Sequence, residues 1–244
     1  MNTLYDFGWA VVAGIVILWM GSLLISDDVH VPVVRRCADK TLPPTLNDVL
    51  SRLPEQDALA ARAGDGCPIT WAHEGTHFTN SRASNARERG FYLLDGTAWR
   101  VPIPKVTKLV HVAEAIPKEH RGKVYKTYLV DSLGDWNDIA LYPLDECVAY
   151  QTGSIVRNEL GWSKRQETDR FGLELLLYSK YAVAEVCRRE PDDYPKQELM
   201  DFYELLVARA RMVVKDFDEQ PFAAAFGTDG KALLAEMEAG DVEK

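Results

Sequence analysis

The sequence contains no CxxC pair, no basic stripe with interleaved aromatics, no low-complexity tract and no internal repeat. Each absence excludes something. Without CxxC, the four cysteines Cys37, Cys67, Cys147 and Cys187 do not have the spacing of a thiolate zinc site. They would instead allow two disulfides in an oxidising compartment. Without a basic excess, 28 Lys and Arg face 37 Asp and Glu, for a formal net charge of -9. A surface that neutralises phosphates is not expected, and nucleic acid is excluded as a partner. Without repeats or biased tracts, solenoids and extended disorder drop out. What is there is ordinary for a globular protein: 244 residues, 47% hydrophobic and 27% charged, enough for one sizeable domain with its own core.

One stretch lacks charge altogether. Gly8 to Ile25 reads GWAVVAGIVILWMGSLLI, about 27 Å of helix if continuous, close to the thickness of a bilayer's hydrocarbon core. Trp9 and Trp19 have the amphipathic rings that favour membrane interfaces. The preceding MNTLYDF has no Lys or Arg and no A-x-A site follows, whereas a secretory signal carries both. Residues 1–26 are therefore expected to form a single transmembrane anchor, with a removed signal sequence as the alternative. Arg35, Arg36 and Lys40 favour a cytoplasmic domain by the positive-inside rule. Asp27, Asp28 and the cysteines favour the opposite side, and the orientation stays open.

Residues 27–66 read as a juxtamembrane linker, extended at VPVV and LPP, with LNDVLSRL able to form one helix. AGDGCP breaks the chain. Pro68 then suits the first position of a helix running to about Arg87, with Gly90 as its stop. FYLLDGTAWRVPIP has two β-prone runs around Asp95-Gly96, a hairpin signal. Helical periodicity follows in TKLVHVAEAI and HRGKVYKTYLVDSL, then between Pro143 and Gly161, and in two long amphipathic stretches at 167–190 and 194–217. Residues 221–244 are expected to be a flexible acidic tail with one short helix. The fold class is mainly α with a small β element.

The chemistry concentrates in WAHEGTHF, residues 71–78. Imidazoles at i and i+4 of a helix project from one face and reach one ion. His73 and His77 have that spacing. Glu74 lies about 100° round the helix from His73, off the ligand stripe, where a carboxylate takes a proton from water instead of binding the metal. Gly75 in mid-helix implies close packing on the opposite face. The blank alternative is a structural pair of histidines in a membrane-tethered helical scaffold.

HEGTH resembles the HExxH helix of the zincin metallopeptidases, which supplies two zinc ligands and the general base. The resemblance covers residues 71–78. Asn80 and Ala83 stand where the metzincin branch has Gly and His, so that branch is excluded. The gluzincin branch, with a third ligand Glu on a later helix, remains, and DECVAY is similar to that segment in several such families. The resemblance implies a zincin-like domain over 67–220 that holds Zn2+ through His73, His77 and Glu146, with Glu74 as general base and a protein or peptide as substrate. Asp145 is the nearest rival ligand, ahead of Glu88, Glu114 and Asp131. Tyr150 is the preferred oxyanion donor, before Tyr142 and His111, and Asn80 is a candidate to orient a ligand imidazole. Tyr125, Tyr128, Trp136 and Tyr142 read as core. The hairpin edge offers a place for an extended peptide.

Overall fold

Proline opens three of the helices that frame the site. Its missing N–H is one of those left unbonded at a helix start, and its fixed φ already suits the first turn. These helices are α1 (Pro44–Ser51), α3 (Pro68–Ala83) and α6 (Tyr142–Glu159), the last with Pro143 in its first turn. The computed structural model describes residues 30–33, 41–63, 66–162 and 166–213. The apolar run at 8–25, Cys37 and the tail at 221–244 lie outside the described residues. Among the described residues no helix is long and apolar enough to cross a membrane.

The body is mainly helical with one small antiparallel sheet. Strand β1 (His30–Pro32) pairs with β3 (Thr97–Pro102), and β3 pairs with β2 (Glu88–Tyr92), giving the order β1-β3-β2. The β2–β3 hairpin turns at Gly96, whose φ of +93 suits a residue without Cβ, and Asp95 Oδ1 accepts the Thr97 N–H at 2.8 Å. The remaining helices are α2 (Glu55–Ala61), α4 (Leu109–Ala115), α5 (Leu133–Trp136), α7 (Gln166–Arg189) and α8 (Lys196–Val213).

Two hydrophobic clusters share α6. The larger holds Phe91 and Val101 of the hairpin, Leu144 and Val148 of α6, Leu175 and Tyr178 of α7, and Phe202 and Leu206 of α8. Tyr128 and Tyr142 belong to it, and Tyr125 and Trp136 pack against it, as expected of core aromatics. The smaller holds Leu46 and Leu50 of α1, Ala61 of α2, Ala72 of α3 and Val156 of α6. Residues 44–61, read from sequence as linker, are thus packed into the body, because α1 and α2 cover the rear face of α3. Gly75 makes that approach possible: a Cβ there would meet Val49 Cγ1 at 2.9 Å.

Three local expectations are corrected. The helix begun at Pro68 ends at Ala83, short of Arg87. Ser84 turns extended, and Gly90 of β2 lies so close that its Cβ would sit 2.5 Å from the Ala83 carbonyl carbon. The stretch after Lys105 is broken into α4, a 3-10 turn at Lys118–His120, a π segment at Thr127–Asp131 and α5. Pro117 interrupts it, and Gly122 is pressed against the buried Glu174 carboxylate. Cys147 and Cys187 are thiols, so the two-disulfide scheme does not hold; Cys147 is buried against the Gly172 carbonyl at 3.8 Å.

Candidate metal centre

The i, i+4 spacing on α3 brings the two imidazoles to one side of the helix, their ring centroids 4.7 Å apart. The Nε2 atoms of His73 and His77 stand 3.1 Å from each other. The first turn of α6 lies opposite, an end where the helix dipole favours acidic side chains. Glu146 Oε2 is 3.5 Å from His73 Nε2 and 3.6 Å from His77 Nε2. That oxygen is buried and has no hydrogen-bond partner.

Three acceptor atoms converging without a donor are relieved by a shared proton or by a cation between them. A triangle with sides of 3.1, 3.5 and 3.6 Å has a circumradius of about 2.0 Å, so one ion reaches all three donors at bonding distance. His73, His77 and Glu146 can therefore hold a metal ion. The electrostatics suit this. Burial, reinforced by His77, keeps His73 well below the usual histidine range and so neutral. Burial also works to lower His77, but Glu146 and Asp145 outweigh it and hold the ring well above that range.

Asp145 is not a third ligand. Its Oδ2 meets His77 Nδ1 at 2.5 Å, on the side of the ring away from the cluster, and its Oδ1 accepts from Asn80 Nδ2 at 2.7 Å. Burial acts to raise Asp145, yet His77, Asn80 and Arg89 keep its carboxyl below the usual range. Asn80 is the orienting group expected from sequence, but it acts on Asp145 and not on an imidazole. Its Oδ1 accepts the backbone N–H of Tyr92 at 2.7 Å, and Ser84 Oγ accepts that of Gly90 at 2.9 Å. These donors belong to the outer edge of β2, so α3 closes the edge assigned to an extended peptide.

Glu74 is half-buried beside the cluster, with its carboxyl raised above the usual range, chiefly by burial and further by Glu146, against His77. Tyr150, one turn beyond Glu146, packs edge-on against His73 with centroids 4.5 Å apart, and its hydroxyl pairs with that of Tyr128 at 2.8 Å. Burial and then the charge of Glu146 push the Tyr142 phenol up, and its ring stacks on Trp136. His111 accepts the Lys108 N–H at 3.1 Å at the start of α4. Glu88, Glu114 and Asp131 are not part of the cluster.

Sequence reasoning missed the ties of Asp145 to His77 and of Tyr128 to Tyr150. The first had a signal: a residue next to the ligand, in the same helical turn, points about 100° away and can reach a neighbouring group. Tyr128 had none, because it lies in the π segment. The chain matches no family model, no curated protein and no solved structure.

Proposed function

We propose that the protein is a membrane-anchored, zinc-dependent hydrolase that cleaves peptide bonds. His73, His77 and Glu146 hold the ion, and Glu74 is the general base. The observation that carries this reading is the orphaned Glu146 Oε2 facing two imidazole Nε2 atoms at 3.5 and 3.6 Å. Two imidazoles and one carboxylate, with no fourth protein ligand among the described residues, are the donor set of catalytic zinc, which leaves a position open. Tetrahedral zinc with bonds of 2.0–2.1 Å separates its ligands by about 3.4 Å, and the three measured edges bracket that value.

Zinc, when bound, supplies Lewis acidity toward a carbonyl and toward a water molecule. The chain's own groups do the rest. Glu74, next to His73 on the α3 surface and engaged in no hydrogen bond with the described residues, accepts the proton of the attacking water and passes it to the leaving amine. The Tyr128 and Tyr150 hydroxyls pair at 2.8 Å, and in the arrangement with Tyr128 as donor the Tyr150 proton is free to stabilise charge developing on the carbonyl oxygen. The uncharged run from Gly8 to Ile25 supports attachment to a membrane.

The test is zinc content together with hydrolysis of a fluorogenic peptide library by the full chain. One zinc per chain and cleavage are expected. Glu74→Gln should keep the zinc and lower kcat by about 10²-fold or more, and Tyr150→Phe should lower kcat with KM little changed. A chain that takes up no zinc is the non-catalytic scaffold. A chain that holds zinc but cleaves no member of the library is a metal-binding protein without this activity.

A further inference from the structure

We infer that Asp145 and Asn80 are positioning residues for the metal centre, forming a hydrogen-bond relay of fixed direction from the β2 backbone to His77. The inference rests on the metal reading above and goes beyond it by assigning work to two residues that bind no ion. It follows from which groups can donate. The relay starts at Tyr92, whose backbone N–H only donates, so Asn80 must turn its Oδ1 to the strand at 2.7 Å. The amide group of Asn80 then necessarily faces residue 145, and its Nδ2 reaches Asp145 Oδ1 at 2.7 Å. Asp145 Oδ2 is left to face His77 Nδ1 at 2.5 Å and has no proton of its own to offer. His77 must donate there. The neutral ring that takes up an ion therefore keeps its proton on Nδ1, and Nε2 offers the lone pair beside His73 and Glu146.

A peptide group in a strand thereby sets the tautomer of an imidazole on a helix. Only a residue that accepts on both sides can occupy position 145, and a carboxylate does so. The relay also fixes the ring plane of His77, since Asp145 is held by Asn80 and Asn80 by the sheet. Orientation of a metal-bound histidine by a carboxylate commonly changes metal affinity about 10- to 100-fold.

Asp145→Asn is the decisive variant, because it keeps the volume and shape of the side chain and reverses one end of the relay. Its single NH2 must face either the Asn80 amide or His77 Nδ1. Facing His77, it drives the ring proton to Nε2, where the ion would bind. Zinc affinity, measured by competition with a chromophoric chelator, is expected to fall about 10- to 100-fold. The Co2+ form should change its ligand-field spectrum, while thermal unfolding of the metal-free protein moves little. Asn80→Ala should weaken zinc in the parent chain, yet change it by less than about twofold in the Asp145→Asn background, because Asn80 acts through Asp145. Asp145→Asn binding zinc within about twofold of the parent, with an unchanged Co2+ spectrum, overturns the relay and leaves the metal site standing. A parent chain that binds neither zinc nor cobalt overturns the metal reading itself.

Discussion

The ring of Trp136 stacks on Tyr142 with centroids 5.3 Å apart and planes within 3°. The stack fixes the phenol one turn before Glu146 on α6, where burial and the Glu146 charge push it up. Asp145, beside Glu146, faces His77 Nδ1 at 2.5 Å and holds that ring from the side away from the cluster. Tyr142→Phe keeps the stack and removes only the hydroxyl near the candidate ligand, so zinc affinity should fall about tenfold. Zinc competition titration with circular dichroism as a fold control measures it.

Removing metal should be visible in stability as well as in activity. The three donors come from α3, which belongs to the smaller hydrophobic cluster, and α6, which belongs to both, and an ion bound to the folded form alone stabilises it by mass action. At free zinc about 100-fold above Kd the gain is about 2.7 kcal/mol, or roughly 5–10 °C in Tm for a chain of this size. Chelation should remove that increment from the parent protein. In Glu146→Ala no increment should be found, because the carboxylate arm is missing while both histidines remain.

The part of the site that lies on one helix was legible in the sequence. The spacing of His73 and His77, the off-stripe Glu74 and the demand Gly75 makes for a close neighbour all follow from 3.6 residues per turn. Glu146 was singled out by the likeness of DECVAY to a third-ligand segment, on a helix whose start Pro143 marks; the preference of first turns for acids would not by itself separate it from Asp145. What could not be read were relationships set by the register of one element against another. Whether Asp145 faces the ion or the rear of His77 depends on how far α6 slides along α3. The stop at Ala83 depends on the docking of Gly90 from β2. The break-up of residues 105–140 was half legible, since Pro117 was there to see, but the pressure of Glu174 on Gly122 arrives from α7, 52 positions away in the chain.

Gly75 supplies a test of that packing away from the chemistry. In an open helix Gly→Ala is favourable by about 1 kcal/mol. Here the new Cβ would stand 2.9 Å from Val49 Cγ1 and 3.2 Å from Leu50 Cδ2, which would force α1 outward from α3. Overpacking of this kind costs about 1–3 kcal/mol, so Gly75→Ala should lower the urea midpoint. Gly134→Ala on α5, where a Cβ would meet nothing within 4 Å, should leave it unchanged or raise it. Equilibrium unfolding of the two variants side by side checks both signs.

Glu190, just past the end of α7, gives a pH dependence independent of the metal. Its carboxylate accepts the backbone N–H groups of Lys105, Val106 and Thr107 at 3.1, 2.9 and 2.8 Å, and the Thr107 hydroxyl at 2.9 Å, fixing the loop that leads into α4. Burial opposes the charge, but these hydrogen bonds outweigh it and hold the carboxyl below the usual range. A group whose folded value is depressed contributes stability that is complete above its unfolded value of about 4.3. That stability is lost as pH falls through the lower folded value. The parent protein should therefore lose stability between about pH 5 and pH 3 more steeply than Glu190→Gln. At neutral pH the variant should be less stable by about 2–3 kcal/mol, as expected for hydrogen bonds to a charged acceptor. Urea unfolding across that pH range reads both effects, and parallel curves for the two proteins would show that the Glu190 charge is not what holds the loop.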